Sequence, residues 1–194
     1  MTAEPLDMTL LVVARNEQGC ASFDRTHVHC ADLRVVSTEG TEWLAAVANG
    51  HLATSRTVFG FAHADILLRQ GALENFHHHA MGGAVCGVVG RAMEDGYVNR
   101  WCNKNPGPVG SLDGCSVWFR RDLGLRFDAA LFTSYHCFVE DLCVQAHARG
   151  IPVLVPSADA THLSGNPSTA WYNHYAPYRQ RLTEKWWPRE VWTT

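Results

Sequence analysis

The chain has 194 residues, of which 46% are hydrophobic and 18% are charged, and its formal net charge is −3. This balance is that of a globular domain rather than a disordered chain, and without a basic run it excludes a nucleic-acid or anionic-lipid surface. No apolar stretch reaches the roughly 18 residues of a membrane span, so we treat residues 1–194 as one domain, with a core at about 9–166 and an aromatic tail at 167–194.

The cysteines indicate the redox environment. Seven are scattered along the chain, and none belongs to a Cys-x-x-Cys pair. An odd number of cysteines with no preceding signal peptide is typical of reduced thiols, so we expect a cytoplasmic protein.

The first two predicted strands both end in polar residues. An apolar, β-rich run at 10–14 stops at Arg15, Asn16 and Glu17. This pattern predicts a strand that delivers a polar loop to the edge of a sheet. A second short strand is predicted at 33–37.

A helix is predicted next, with Thr41 suited to cap its first turn. Its apolar residues on one helical face are Trp43, Leu44, Val47 and Ala48. The pair Asn49-Gly50 is expected to end or kink this helix.

An apolar strand predicted at 58–62 leads directly into His63 and Asp65. Residues i and i+2 of an extended chain point to the same side, so the imidazole of His63 and the carboxylate of Asp65 meet at one point. The carboxyl end of a central strand in an open α/β sheet is where ligands bind, and these two groups suit a divalent cation. The alternative is a capping aspartate beside a histidine that is satisfied by hydrogen bonds.

The middle of the chain is less regular. Residues 66–79 predict a turn and a helix with three histidines at its solvated end. The glycine-rich stretch 82–90 follows a helix, whereas a dinucleotide-binding loop follows a strand, so we interpret it as a strand. The polar stretch 93–113 predicts either a functional loop or a surface excursion.

The last part of the chain alternates again between strand and helix. We predict a strand at 116–120, a helix at 141–149 that ends at Gly150, and a last strand at 151–155, with His162 just beyond it.

The tail has apolar residues at helical spacing, with a break or restart at Pro177. They are Trp171, Tyr175, Tyr178, Leu182 and Trp186. Packing of this helix on the core is one interpretation. The alternative, in which Trp187 and Trp192 also take part, is a partner or homodimer contact.

Five motifs occur in an order that resembles family 2-like inverting glycosyltransferases of the GT-A fold. The similarity is to the small bacterial, streptomycin-biosynthesis-type branch, which has His-x-Asp where relatives have Asp-x-Asp. The motifs are LLVVARNE, AAVANGHLATSRTVFGFAHADILL, LDGCSVWFRRD, FDAALFTSYHCFVEDLCVQAHARGIPVLVP and THLSG. The resemblance implies a three-layer α/β/α domain with a mainly parallel, Rossmann-like central sheet.

The resemblance also implies an activity, namely metal-dependent transfer of a sugar from a nucleotide-diphosphate donor to a hydroxyl acceptor. Asp65, His63 and His162 would hold Mn²⁺ or Mg²⁺. The candidate catalytic residues are Asp141, as the general base, and Glu140 beside it.

Two further groups of residues follow from the same resemblance. The candidate nucleotide-binding residues are Arg15, Asn16, Glu17, Thr38 and Asn49. The candidate sugar- or acceptor-binding residues are Asp113, Gly114, Trp101, Arg100 and His136. Thr38 stands where relatives carry an acidic residue at the end of the second strand.

Two other classes of function stay open on the sequence. A metal-dependent phosphoester or nucleotide-sugar hydrolase could use His63, Asp65, His136 and His162 with Asp141. A non-catalytic sugar-nucleotide-binding domain is the second alternative.

Overall fold

The computed structural model describes residues 4–39, 43–92, 99–163 and 169–189, so Thr41 and Trp192 lie outside the described residues. The strands are β1 (Leu6–Ala14), β2 (Cys30–Ser37), β3 (Val58–His63), β4 (Ile66–Leu68), β5 (Val85–Cys86), β6 (Val89–Arg91), β7 (Asn99–Trp101), β8 (Gly107–Pro108), β9 (Ser111–Leu112), β10 (Ser116–Arg120), β11 (Val153–Val155) and β12 (Ala160–His162). The α-helices are α1 (Glu17–Ser22), α2 (Leu44–Ala53), α3 (Ala72–Met81), α4 (Phe138–Ala148) and α5 (Thr169–Trp186).

Seven strands form the central sheet, in the order β2-β1-β3-β10-β5-β11-β8. β1 pairs in parallel with β2 and β3, and β5 pairs in parallel with β11. β10 and β8 run antiparallel to their neighbours. The protein is therefore a mixed α/β fold with a large, mainly parallel central sheet. The strands predicted at 10–14, 58–62 and 151–155 share this sheet, as expected.

Close packing around β3 fixes the middle of the sheet. Residues 8–14 of β1 are all buried, which is typical of a strand covered on both faces. Gly60 in β3 leaves room for the indole of Trp118 in β10, because a Cβ at Gly60 would overlap Trp118 Nε1. The Trp118 ring stacks on Phe76 of α3, with 3.9 Å between ring centroids. These contacts join α3 to the sheet at the middle of β3.

Helix α2 departs from its prediction at both ends. Trp43 precedes the helix and is 55% exposed, so it does not belong to the apolar face, which Leu44, Ala48 and Leu52 form. The helix also continues through Asn49 to Ala53. A helical glycine costs only about 1 kcal/mol, which the burial of this face offsets.

Four short strands, β4, β7, β8 and β9, appear where the sequence predicted a turn or an irregular loop. Residues 66–68 form β4 because they pair with β12, which is far away in the sequence. β7 and β9 pair with β6 in a separate sheet. The predicted strand at 82–90 is divided into β5 and β6, which belong to different sheets. Pairing between distant segments decides each case, and local periodicity does not record it.

The C-terminal helix α5 packs on the core. Tyr175 and Leu182 are buried, and Tyr178 and Trp186 are partly buried. The helix runs through Pro177 without ending there, unlike the predicted break. Trp187 is 78% exposed just after the helix. Among the described residues, no helix has the length and apolar character needed to cross a membrane.

Candidate metal centre

The candidate site lies at the carboxyl ends of β1, β2 and β3. Val13 is the Cα partner of His63, so the ends of β1 and β3 are level. Two backbone hydrogen bonds hold the turn after β3: His63 N donates to Cys115 O at 2.8 Å, and Ala64 N donates to Val13 O at 2.8 Å. The chain leaving β3 is therefore fixed on both sides, and His63 and Asp65 are held at the sheet edge.

The β4–β12 pair brings His162 to the same place. His162 is the Cα partner of Ile66, and Leu163 N donates to Asp65 O at 3.0 Å. His162 Nε2 then lies 3.4 Å from Asp65 Oδ2. The ligand atoms of His63, Asp65 and His162 all lie within 4.8 Å of one another. The three residues that the sequence predicted as metal ligands are thus brought together.

Two residues before the antiparallel strand β10 complete the cluster. Because β10 runs opposite to β3, its first residues lie at the carboxyl edge of the parallel strands. Cys115 N donates to Asp113 Oδ1 at 2.8 Å. The ligand atoms of Asp113, Cys115 and His162 also lie within 4.8 Å of one another. His162 therefore belongs to two overlapping groups of candidate ligands.

The pKa values of the two histidines in the cluster are shifted in opposite directions. Burial lowers the pKa of His63, and the Asp65 carboxylate opposes this only in part. Burial alone would lower the pKa of His162 too, but its hydrogen bond to Asp65 and the charge of that carboxylate outweigh burial and raise the pKa. His63 is therefore the neutral imidazole of the pair, which is the form that binds metal.

One atom of the cluster is available to a ligand. His63 Nε2 is buried, and among the described residues it has no hydrogen-bond partner. A buried polar atom without a partner costs free energy, whereas a bound cation would use its lone pair. The residues present therefore fit a divalent metal ion.

The candidate nucleotide-binding residues lie in part beside this cluster. Arg15, Asn16 and Glu17 are exposed where β1 ends, and Asn16 Oδ1 caps α1 by accepting from Gly19 N at 2.9 Å. Thr38 follows β2 at the same edge and is buried, with its hydroxyl 2.8 Å from the hydroxyl of Tyr135.

Asn49 is not at this edge. Its Nδ2 donates to Phe127 O at 2.6 Å, and its Oδ1 accepts from Phe127 N at 3.1 Å. Both polar atoms of the amide are therefore used in joining α2 to the core.

The candidate sugar- and acceptor-binding residues are divided among three places. Asp113 belongs to the cluster, and Gly114 follows it; a Cβ at Gly114 would lie 3.3 Å from Tyr135 O. Arg100 and Trp101 lie in β7, where Arg100 donates to Asn105 Oδ1 at 3.0 Å.

His136 packs against α5 instead of joining the cluster. Its ring centroid lies 5.6 Å from that of Tyr175 and 6.0 Å from that of Tyr178. Neither group of candidate ligands among the described residues includes it. Of the histidines that the hydrolase alternative named, His63 and His162 belong to the cluster, and His136 does not.

Asp141, the predicted general base, is completely buried near the start of α4. Its Oδ1 accepts from Lys185 Nζ at 2.7 Å and from Trp186 Nε1 at 2.7 Å. Its Oδ2 accepts from Gln145 Nε2 at 2.8 Å. Glu140 is 3% exposed. In this conformation the Asp141 carboxylate therefore binds the C-terminal helix.

Lys185 also binds a second carboxylate. Lys185 Nζ lies 2.9 Å from Asp128 Oδ2. Burial alone would lower the pKa of Lys185, but its hydrogen bonds to Asp141 and Asp128 outweigh burial and raise it. We call the interaction of Lys185 and Trp186 with Asp141 and Asp128 the tail contact.

The sequence interpretation did not identify Cys115, Tyr135 or Lys185 as site or anchoring residues. Tyr135 contacts Thr38, and its ring lies 6.3 Å from that of His63. Cys115 could have been found only from the antiparallel direction of β10, which the sequence does not show. Burial and the charge of Asp113 raise the pKa of the Cys115 thiol well above its ordinary value.

Comparison with known proteins gives little further information. No family model matches the chain, and no curated protein matches it. A similar solved structure is the crystal structure of A197 from STIV, with a TM-score of 0.49 and 12% sequence identity over 81% of this chain and 86% of that chain. A likeness this weak identifies no family.

Proposed function

We propose that this protein binds a nucleotide-diphosphate sugar through a divalent cation and transfers the sugar to a hydroxyl acceptor. The observation that carries the proposal is the convergence of His63, Asp65 and His162 at the carboxyl edge of a mainly parallel sheet. Ligands bind at this edge in open α/β sheets. The resemblance to GT-A glycosyltransferases supplies the substrate class, and a GT-A arrangement of the fold is part of the proposal.

In this proposal, His63, Asp65 and His162 hold the cation. When bound, it would supply positive charge against the diphosphate leaving group. The neutral state of His63 favours this, because the imidazole does not have to lose a proton before it binds. Before a cation binds, His162 Nε2 donates to Asp65 Oδ2 at 3.4 Å, which holds the two side chains beside each other.

The end of β1 supplies the groups for the nucleotide. Arg15 is exposed there and can pair with phosphate oxygens, for which its guanidinium is well suited. Asn16 and Glu17 lie next to it. The Asn16 amide can donate hydrogen bonds to ribose and base, and the Glu17 carboxylate can accept them. Thr38 and Tyr135, bound to each other, would form the wall of this part of the site.

Asp141 remains our candidate for the general base that takes the proton from the acceptor hydroxyl, on one condition. In the described conformation its carboxylate receives hydrogen bonds from Lys185, Trp186 and Gln145. A general base has to come within hydrogen-bond reach of the acceptor hydroxyl. Catalysis by Asp141 would therefore require α5 to release the tail contact.

Donor binding is tested by thermal shift with UDP, GDP, CDP and dTDP, each with and without Mn²⁺. A ligand at a hundred times its dissociation constant stabilises the folded state by about 2.7 kcal/mol. We expect one diphosphate to raise the melting temperature of the wild type only when metal is present, and not that of Asp65→Ala. If no diphosphate raises it, or if all act equally well without metal, the proposal is wrong.

A non-catalytic sugar-nucleotide-binding domain is the second candidate. The burial of Asp141 in the tail contact favours it, because the implied base is already occupied. The matching nucleotide sugar, offered with a panel of hydroxyl acceptors, separates the two functions. Metal-dependent binding without transfer or donor consumption would select the binding domain.

A further inference from the structure

Two groups of candidate ligands share His162, and their chemistry differs. His63 and Asp65 complete one group, whereas Asp113 and Cys115 complete the other. Ligands of a tetrahedral zinc ion, with bonds of about 2.0–2.3 Å, lie about 3.3–3.8 Å apart. Separations of up to 4.8 Å therefore require side-chain movements of about 1 Å in either group.

The backbone holds Cys115 against both of its neighbours in the cluster. Its carbonyl accepts from His63 N at 2.8 Å, and its N–H donates to Asp113 Oδ1 at 2.8 Å. The residue is 1% exposed, and its Sγ lies 3.8 Å from Ser116 Oγ, a weak contact that a metal bond would readily replace. Cys115 is therefore fixed in position, and its thiol lies beside the Asp113 carboxylate and the Ser116 hydroxyl, next to His162.

The ligand types decide which metal such a site prefers. Oxygen-only sites suit magnesium and manganese, whereas thiolate and imidazole together suit zinc. We propose that Cys115 is a metal ligand, and that with His162 and Asp113 it makes the centre bind Zn²⁺ more tightly than Mn²⁺ or Mg²⁺. As the sulfur–metal bond forms, the thiol proton leaves to solvent. This inference rests on the metal centre of the proposed function but not on sugar transfer.

The experiment uses Co²⁺ as a spectroscopic probe for Zn²⁺ in the full chain under reducing conditions. A cobalt–thiolate bond gives a near-ultraviolet charge-transfer band that oxygen and nitrogen ligands do not give. We expect this band in the wild type at one equivalent of Co²⁺, and its loss on addition of Zn²⁺. In Cys115→Ser the band should disappear and Zn²⁺ affinity should fall at least tenfold, whereas Mn²⁺ affinity should change less than threefold.

The matched control is Cys86→Ser. Cys86 is also completely buried, but it lies outside both ligand groups, and its thiol faces the carbonyls of Phe76 and Trp118, which a serine hydroxyl can also use. We expect this variant to keep the band. A band that survives in Cys115→Ser, or that is lost in Cys86→Ser, would overturn the inference.

A measurement on the wild type covers the case in which Cys115→Ser fails to fold. X-ray absorption at the zinc edge should show one sulfur at about 2.3 Å. Bound zinc surrounded only by nitrogen and oxygen would overturn the role of Cys115 and leave the metal centre intact. If neither Co²⁺ nor Zn²⁺ binds at one equivalent, this inference fails, and binding of Mn²⁺ then decides whether the proposed function fails with it.

Discussion

His162 Nε2 lies 3.4 Å from Asp65 Oδ2, a contact between two residues that the β4–β12 pair brings together from distant parts of the sequence. The pairing is antiparallel, so the residue that ends β12 lies beside the residue that precedes β4. The backbone bond from Leu163 N to Asp65 O fixes the same register. Two candidate ligands are thus positioned by backbone geometry before any metal binds, which is the preorganisation a metal site needs.

Replacement of Asp65 by alanine should abolish metal binding and leave the fold intact. Its side chain is 40% exposed at the end of a strand, so little packing is lost. Mutation of residues that only hydrogen-bond to metal ligands lowers metal affinity by about 10- to 100-fold. Loss of a ligand itself should lower the affinity at least this much. Isothermal titration calorimetry with Mn²⁺ and with Zn²⁺ measures the loss of affinity.

The control for this variant is Asp122→Asn, which removes an exposed carboxylate that pairs with Arg120. Its metal affinity should equal that of the wild type. Unchanged metal affinity in Asp65→Ala would show that the ion binds elsewhere.

Replacement of His162 should weaken both Zn²⁺ and Mn²⁺ binding, because His162 belongs to both groups of ligands. We expect His162→Ala to lower the affinity for each ion by at least about tenfold. Cys115→Ser, by contrast, should act mainly on Zn²⁺. A His162 variant that loses only one of the two ions would mean that the groups are separate sites, which a titration of each metal would reveal.

Glycine-to-alanine substitutions at two positions should have opposite effects on stability. Gly60→Ala places a Cβ against the Trp118 indole, which is held by Phe76, so we expect destabilisation by about 1–3 kcal/mol. Gly50 lies inside α2 with nothing within 4 Å of the added Cβ, so Gly50→Ala should stabilise by about 0.5–1 kcal/mol. Urea unfolding measures both. Equal effects would contradict the packing of β3 on β10.

Much of the central sheet could be predicted from the sequence, because its inner strands are short apolar runs that can be recognised without knowing their partners. The apolar runs of β1 and β3 end in polar residues, and the polar ends mark the sheet edge where His63 and Asp65 lie. The direction of β10 and the pairing of β4 with β12 could not be predicted. Both depend on contacts between distant segments, which short patterns do not record.

The candidate site was predictable to the same extent. His63, Asp65 and His162 followed from the ends of strands and from the resemblance, and the structure brings them together. Cys115 was missed because its place depends on the direction of β10. The burial of Asp141 was not predicted: a carboxylate near a helix start fits both a base and a buried anchor, and its contact with Lys185 in α5 joins segments that are far apart in the sequence.

Lowering the pH should weaken the tail contact, because it protonates the Asp128 carboxylate. Burial alone would raise the pKa of Asp128, but its hydrogen bonds from Lys185 and Leu131 N outweigh burial and lower it. A carboxyl whose pKa is lower in the folded state stabilises the protein above the unfolded value of about 3.9, and this contribution is lost as the pH falls through the folded pKa. The wild type should therefore lose more stability than Asp128→Asn between pH 5 and pH 3, in urea unfolding at each pH. Parallel curves for the two proteins would contradict the contribution of Asp128.

Lys185→Met should destabilise the protein through the carboxylate it leaves behind. Asp141 is completely buried, and loss of one partner of a buried ion pair costs about 3–5 kcal/mol. The Lys185 side chain is 25% exposed, and Asp141 keeps its bonds from Trp186 and Gln145, so we expect a smaller loss of about 2 kcal/mol. Lys104→Met, at an exposed position, is the control and should stay within about 0.5 kcal/mol of the wild type.

A double-mutant cycle shows whether the loss in Lys185→Met comes from the buried charge. Asp141→Asn removes that charge and retains the shape of the side chain, so in its presence Lys185→Met should cost less than in the wild type. Residues in direct contact show coupling energies of about 0.5–3 kcal/mol. Urea unfolding of the four proteins gives the coupling, and additive effects would mean that Lys185 and Asp141 do not interact in solution. The Lys185–Asp141 pair would then be absent from the tail contact, and of the bonds from α5 only that from Trp186 would have to be released before Asp141 acts as the base.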